Sequence, residues 1–137
     1  MAGILVTDAG EVELLKKTLK NTTDSETYLL KLFQSNTEVT STSVEGDFTL
    51  CDFTGYATKT LTRGNWTDPT SISGKANTTY PTQTWTCSGG SNDIYGYLVI
   101  GGTSNVLLWG ETFVDPIPIS SGNSYSLDLT LTGSSAN

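Results

Sequence analysis

The stretch DIYGYLVIGGTSNVLLWGETFV, Asp93 to Val114, limits what this chain can fold into more than any other segment. Read with a period of two, it places Ile94, Leu98 and Ile100 on one face and Tyr95, Tyr97 and Val99 on the other. After the turn residues GGTSN the pattern resumes, with Val106 and Leu108 on one side and Leu107, Trp109 and Phe113 on the other. A strand that is apolar on both faces needs cover on both. The segment therefore predicts a hairpin deep in a β structure. Two sources of cover are open: a helix of the same chain, or a symmetry mate.

The rest of the chain supplies further strands. ETYLLKLFQS alternates Tyr28, Leu30 and Leu32 against Leu29, Lys31 and Phe33. NTEVTSTSVEGD reads as a polar loop. FTLCDFTGYATKTLTR reads as a strand, a break at Gly55 and a second strand. GNWTDPTSISGKAN is loop-like, with Asp68-Pro69 and Gly74 as breakers and Trp66 inside it. TTYPTQTWTC reads as a strand that lies at an edge or starts after Pro81, because proline cannot donate to a ladder. DPIPISSGN reads as a loop, and SYSLDLTLTG as a last strand with Tyr125, Leu127, Leu129 and Leu131 inward. Short strands at this spacing predict a mainly β fold. Its expected form is an antiparallel β-sandwich, jelly-roll-like, or a small barrel, in a single domain.

One segment has a different period. In AGEVELLKKTLKN, Val12, Leu15 and Leu19 recur at helical spacing, with Leu14 beside them. Asp8 is the expected N-cap, with Glu11 completing a capping box, and Asn21 the expected stop. A helix over 10–20 is too short to persist alone in water, so it is expected to lie on the rest of the fold. Residues 1–9 form an N-terminal arm, 26–132 the β-sandwich and 133–137 a tail. The arm carries Ile4, Leu5 and Val6, read either as an edge strand of the chain's own sheet or as an arm pairing with a neighbouring chain.

The chain has 137 residues, a formal net charge of −7, 15% charged residues and no histidine. About 25% charged is usual for a soluble domain. Seven basic residues, four of them at Lys16, Lys17, Lys20 and Lys31, offer no patch for phosphate, so neither nucleic acid nor an anionic membrane is an expected partner. The N-terminus reads as neither signal peptide nor membrane span. Without histidine there is no Ser-His-Asp system and no imidazole metal site. Cys51 and Cys87 could pair if they lie on neighbouring strands, but the favoured reading is two reduced, partly buried thiols. Asp52 and Glu111, both in strand contexts, are the carboxylates to examine as a hydrolase pair, which needs the two a few ångströms apart. No catalytic motif joins them, so no enzyme, cofactor or metal is expected. The aromatics Trp66, Trp85, Trp109, Tyr80, Tyr95 and Tyr97 fit either a core or subunit interface, or a sugar-stacking platform.

The order of AGEVELLKKTLKN, LLKLFQSN, DFTGYATKTLTRGNW, WTC, IYGYLVI and LLWGETF resembles a group of small structural proteins of tailed bacteriophages, over nearly the whole chain. The resemblance implies a non-enzymatic virion part, a head decoration (cement) protein or a tail component. Such a protein is made in the host cytoplasm and carried in the particle, often in multiple copies. The expected partners are further copies of the chain, as a trimer, and the major capsid protein or another virion protein. The alternative is a tail-fibre or tail-tip module that binds host glycan. The candidate oligomer or partner interface comprises Ile4, Leu5, Val6, Trp66, Tyr95, Tyr97, Trp109 and Phe113.

Overall fold

A computed structural model describes residues 4–20, 26–72 and 75–132. The expected stop at Asn21, the Gly74 breaker and the 133–137 tail lie outside them. In chain order the elements are β1 (Ile4–Val6), α1 (Asp8–Leu19), β2 (Tyr28–Phe33), β3 (Lys59–Leu61), β4 (Thr70–Ile72), β5 (Lys75–Thr86), β6 (Ser91–Gly101), β7 (Leu107–Ser120) and β8 (Ser124–Thr132). Short 3-10 turns occupy Glu45–Asp47 and Arg63–Asn65. All strand pairs are antiparallel. They form a five-stranded sheet in the order β1-β7-β6-β2-β3 and a three-stranded sheet in the order β4-β5-β8. Each sheet keeps two edges, so neither closes into a barrel, and the expected β-sandwich is the form adopted.

The hairpin β6–β7 is the centre of the larger sheet, and each of its faces lies on a separate core. The inner face joins Ile94, Tyr97, Val99, Leu108 and Trp109 to Trp85, Leu127 and Leu129 of the other sheet. The outer face gathers Phe33, Leu98, Ile100 and Leu107 under Val39 and Phe48, with Leu50 and Tyr95 beside them. The cover of this second face is thus neither a helix nor a symmetry mate. It is the connection from Gln34 to Leu50, whose mostly polar sequence spends Val39, Phe48 and Leu50 on the sheet. Phe33 and Phe48 meet with ring centroids 4.7 Å apart. Lys31 reaches over the same connection to Glu45 at 3.0 Å.

The face assignment by strict alternation needs one correction. The register slips between Ile94 and Gly96, so Ile94 shares a face with Tyr97 and Val99, while Tyr95 falls with Leu98 and Ile100. A second slip between Val99 and Ile100 leaves Leu108 as an extra residue, and both Leu108 and Trp109 enter the inner core. Bulges break the period-two rule wherever they occur.

Prolines account for two further corrections. DPIPIS is strand rather than loop: Pro118 sits opposite Asp93 and Ile117 opposite Ile94 within β7. Beyond Glu111 this strand has no partner on its other side among the described residues, where β1 pairs with Trp109 to Glu111. A missing N–H facing that open side breaks no ladder. Pro81 lies inside β5, the middle strand of its sheet, at an irregularity between Tyr80 and Gln83. The expected edge position is therefore replaced by a bulge position, the other place where a strand tolerates proline. The expected strand before Gly55 shortens to an isolated bridge between Phe33 and Leu50, and part of the expected 64–77 loop pairs as β4.

Helix α1 begins at Asp8, two residues before the expected start at residue 10, and its N-cap moves by one. Thr7, not Asp8, is the N-cap: its Oγ1 accepts from the Gly10 N–H at 2.9 Å. The same hydroxyl donates to the Leu107 carbonyl, and the Thr7 N–H donates to the Leu108 carbonyl at 3.1 Å. The helix start is thereby fastened to β7 where the extra residue frees those carbonyls. Gly10 permits the approach, because a Cβ there would lie 2.2 Å from the Leu108 oxygen.

Candidate functional site

The eight residues expected at an interface divide into interior and surface. Tyr97 and Trp109 are 2% and 3% exposed within the chain itself, so neither presents a surface to a partner. Trp66, half-buried, lies against Tyr80 at 5.1 Å and Trp109 at 6.1 Å between ring centroids. Phe113, also half-buried, sits between Tyr97 at 6.2 Å and Tyr125 at 6.3 Å. Tyr95 packs against the outer core. Tyr97 and Trp109 therefore belong to the interior of the sandwich, while Trp66, Phe113 and Tyr95 keep part of their surface open.

The arm is an intramolecular strand. Ile4, Leu5 and Val6 pair with Glu111, Gly110 and Trp109 of β7. Ile4 and Val6 pack on the inner core and Leu5 on the outer one. The partner-arm alternative loses these side chains, which the chain's own sheet uses.

The Asp52–Glu111 pair does not form. Asp52 receives a hydrogen bond from the Asn92 amide at 3.0 Å, whereas Glu111 lies opposite Tyr97. Five residues of β6 separate those anchor points, roughly 15 Å of strand. A glycosidase pair spans about 5–9.5 Å. Asp52 belongs instead to a clip in which the Asn92 Oδ1 accepts from the Asp52 and Phe53 N–H groups and Gln34 Nε2 donates to Asp52. That clip holds the residue 50–53 segment on β6.

Cys51 and Cys87 are both buried and unpaired. Burial, with the neighbouring Asp52 charge, pushes the Cys51 thiol up to about 12. A thiol so far from its thiolate is not nucleophilic. Among the described residues, no three acidic or cysteine side chains gather as a metal site. None of the helices there is long and apolar enough to cross a membrane.

Two of the concave surfaces among the described residues border the β1 edge and the helix. A polar crevice of about 450 Å³ opens between the sheet edges, lined by Ile4, Lys75, Tyr97, Glu111, Asp128 and Thr130. Burial and the Glu111 carboxylate raise the Tyr97 phenol, and burial with Glu111 and Asp128 raises Tyr125 to about 12. Both rings are therefore neutral donors at any ordinary pH. The second surface is an apolar groove of about 330 Å³, where Leu14 of α1 faces Val6, Pro69, Ala76 and Leu131.

On the opposite side of the helix from that groove lies the feature the sequence pattern led us to expect inside. The stripe Val12, Leu15 and Leu19 is 51%, 57% and 75% exposed. Only Gly10 of the helix is buried. The helix touches the body through Gly10, Leu14 and Lys17, and its apolar stripe points away.

The fastening on the body side uses a residue that sequence reasoning missed. Glu26 is 4% exposed and accepts from Lys17 at 2.5 Å, from the Thr103 N–H at 3.0 Å and from the Ser104 N–H at 2.6 Å. It thus ties α1, the entry to β2 and the β6–β7 turn together. Burial works to raise its carboxyl, but these bonds outweigh it and hold the group down at about 2. No local motif marks such a residue, since its partners lie 9 and 77–78 positions away.

Neither a protein-family model nor a curated protein matches the chain.

Proposed function

We propose that this protein is a non-enzymatic structural component of a bacteriophage particle, a decoration protein that binds the head shell and works through contacts with its own copies and with the capsid protein. The observation that carries the reading is the exposed stripe Val12, Leu15 and Leu19 on the side of α1 that faces away from the body. A monomer has no use for three adjacent apolar side chains on a polar surface; a component of an assembly does. The sequence resemblance to small virion proteins supports the same reading. The stripe is on the helix, so the contact surface proposed here replaces the aromatic one expected from the sequence.

Purified particles tested with an antibody to the chain, imaged by electron microscopy, check this. Regularly spaced label on the head is the expected result. Particles without the protein overturn the reading. Label on the tail favours the second reading, a tail module that binds host glycan. The polar crevice at Glu111, Asp128 and Thr130 supports that one, because carboxylates and hydroxyls suit sugar hydroxyls.

A further inference from the structure

We infer that the exposed face of α1 is a self-association seam, on which helices from two or three copies of this chain pack in parallel around a rotation axis. The inference rests on the reading above only in treating this face as a contact surface.

The spacing of the helix residues carries it. At about 100° per residue, Val12, Leu15 and Leu19 fall within one narrow stripe, opposite Gly10, Leu14 and Lys17. Val12 and Leu19 are seven apart with Leu15 between them, the a-d-a seam of a coiled coil. Glu11 then occupies the g position on one flank and Lys16 the e position on the other. In parallel helices a g residue meets the e residue five positions on in its neighbour. Glu11 of each copy therefore meets Lys16 of the next, acid against base, at every contact around the axis. The antiparallel arrangement puts Lys16 beside Lys16 and loses this match. Charge thus selects a second copy as the occupant and the parallel orientation as its pose.

Other details fit. In the single chain Lys16 bonds Glu13 at 3.1 Å on a surface where Lys16 is 52% exposed. Exchanging that pair for one to a neighbour costs little. Asp8 is the preceding d position, and its charge ends the seam there. The body lies on the opposite side of the helix, so it does not block the approach. The seam is only two turns long, so self-association is weak in dilute solution and strengthens where a particle lattice holds copies together.

Charge exchange tests it in the full chain. Sedimentation velocity up to about 1 mM protein is expected to show reversible oligomers. Glu11→Lys and Lys16→Glu, each alone, set like charges against each other and are expected to weaken association about tenfold. An equimolar mixture of the two variants restores the opposite-charge contacts and is expected to associate again. Val12→Cys is expected to form a disulfide with itself under mild oxidant, since parallel packing sets residue 12 beside residue 12. Cys51 and Cys87 are buried and leave the background silent. A wild-type chain that stays monomeric across this range, association unmoved by either charge variant, or a cross-link only between Val12→Cys and Leu19→Cys chains overturns the inference. Particles lacking the protein would defeat the virion reading and leave this one standing, and a monomeric chain would do the reverse.

Discussion

The β6–β7 hairpin and the helix α1 carry the two clearest apolar patterns in the chain, and they meet opposite fates. The hairpin is apolar on both faces, and its own chain covers both: the three-stranded sheet on one side, the Gln34–Leu50 connection on the other. The helix is apolar on one face, and that face is left open. The sequence pattern left the hairpin's second face to either a helix of the same chain or a symmetry mate, and laid the helix on the rest of the fold. An apolar period states that cover is required. It does not state which part of the chain supplies it, because that depends on long-range placement.

The helix shows why. Its orientation is decided by groups that carry no period: a hydroxyl at Thr7, a glycine at position 10 and an ion pair from Lys17 to Glu26. Together these turn the Gly10 side inward, although Gly10 contributes no apolar surface. Hydrophobic burial of three side chains is worth about 1.5–3 kcal/mol each when complete. That gain is forgone in the single chain and remains for an assembly.

The largest expected effects come from stripping the cover of the hairpin. Trp109→Ala removes a ring packed against Tyr28 and Trp66 in the inner core and is expected to cost about 3–5 kcal/mol. Phe48→Ala strips the outer face and is expected to cost about 3 kcal/mol, because the ring is 8% exposed and packs at a tilt against Phe33. Urea unfolding followed by tryptophan fluorescence measures both. A Phe48→Ala cost below about 1 kcal/mol would show that the connection is a loose loop, and the second face would again need a partner.

The next effect concerns the tie between helix and hairpin. Glu26 is held at about 2 in the folded chain against an ordinary 4.5. A depressed carboxyl contributes stability that is fully present above about pH 4.5 and is lost as pH falls toward 2. The difference corresponds to about 3 kcal/mol. Glu26→Gln is expected to destabilise the chain at pH 7 by about 2–3 kcal/mol, since Lys17, 11% exposed, loses the Glu26 carboxylate. The variant's melting temperature should also fall less than the wild type's between pH 5 and 3. An equal acid loss in both proteins would mean that Glu26 is not the group that titrates.

How much was legible follows from these cases. Strands with clean alternation and no bulge, β2 and β8, read directly from Tyr28, Leu30, Leu32 and from Leu127, Leu129. The sandwich followed from their spacing. Parity across Tyr95 did not, because a register slip is set by the partner strand and leaves no local mark. Pro116 and Pro118 read as loop because the sequence does not reveal that, among the described residues, one side of β7 is unpaired there. The aromatics were read as core or interface, or as a sugar-stacking platform; Trp85, Trp109, Tyr80 and Tyr97 are buried in the core, and Trp66 and Tyr95 are partly buried against it. The exposed stripe was visible as a pattern, but its direction was not, because Glu26 and Thr7 fix that direction from afar.

A smaller effect tests the helix start. Thr7→Ala removes the side-chain cap on Gly10 and the hydroxyl bond to the Leu107 carbonyl. Replacing an N-cap threonine typically costs about 0.5–2 kcal/mol. Thr7 is 1% exposed, so the Leu107 carbonyl it leaves behind stays out of water, and the upper half of that range is expected. Thr7→Ser, which keeps the hydroxyl, should recover most of the loss in the same denaturation experiment. No recovery would assign the effect to the lost methyl group, and the fastening of α1 to β7 would then rest on Gly10 and Glu26.

The smallest expected effect is the most telling for the comparison. Leu19→Gln replaces a side chain that is 75% exposed, with no core contact to lose. Surface substitutions of this kind lie within about 0.5 kcal/mol of neutral. Glutamine also keeps the helix propensity of leucine, so no backbone term enters. The monomer's unfolding midpoint should therefore stay where it is at low protein concentration. A core leucine changed in the same way, such as Leu98 on the outer face of the hairpin, would lose several kcal/mol by cavity and polar burial together. If Leu19→Gln proves as damaging as that, the stripe is covered within the single chain in solution, and the contrast between a sealed hairpin and an open helix fails. If it is neutral, the apolarity of α1 contributes nothing to the stability of one chain, and its use lies in contacts between chains.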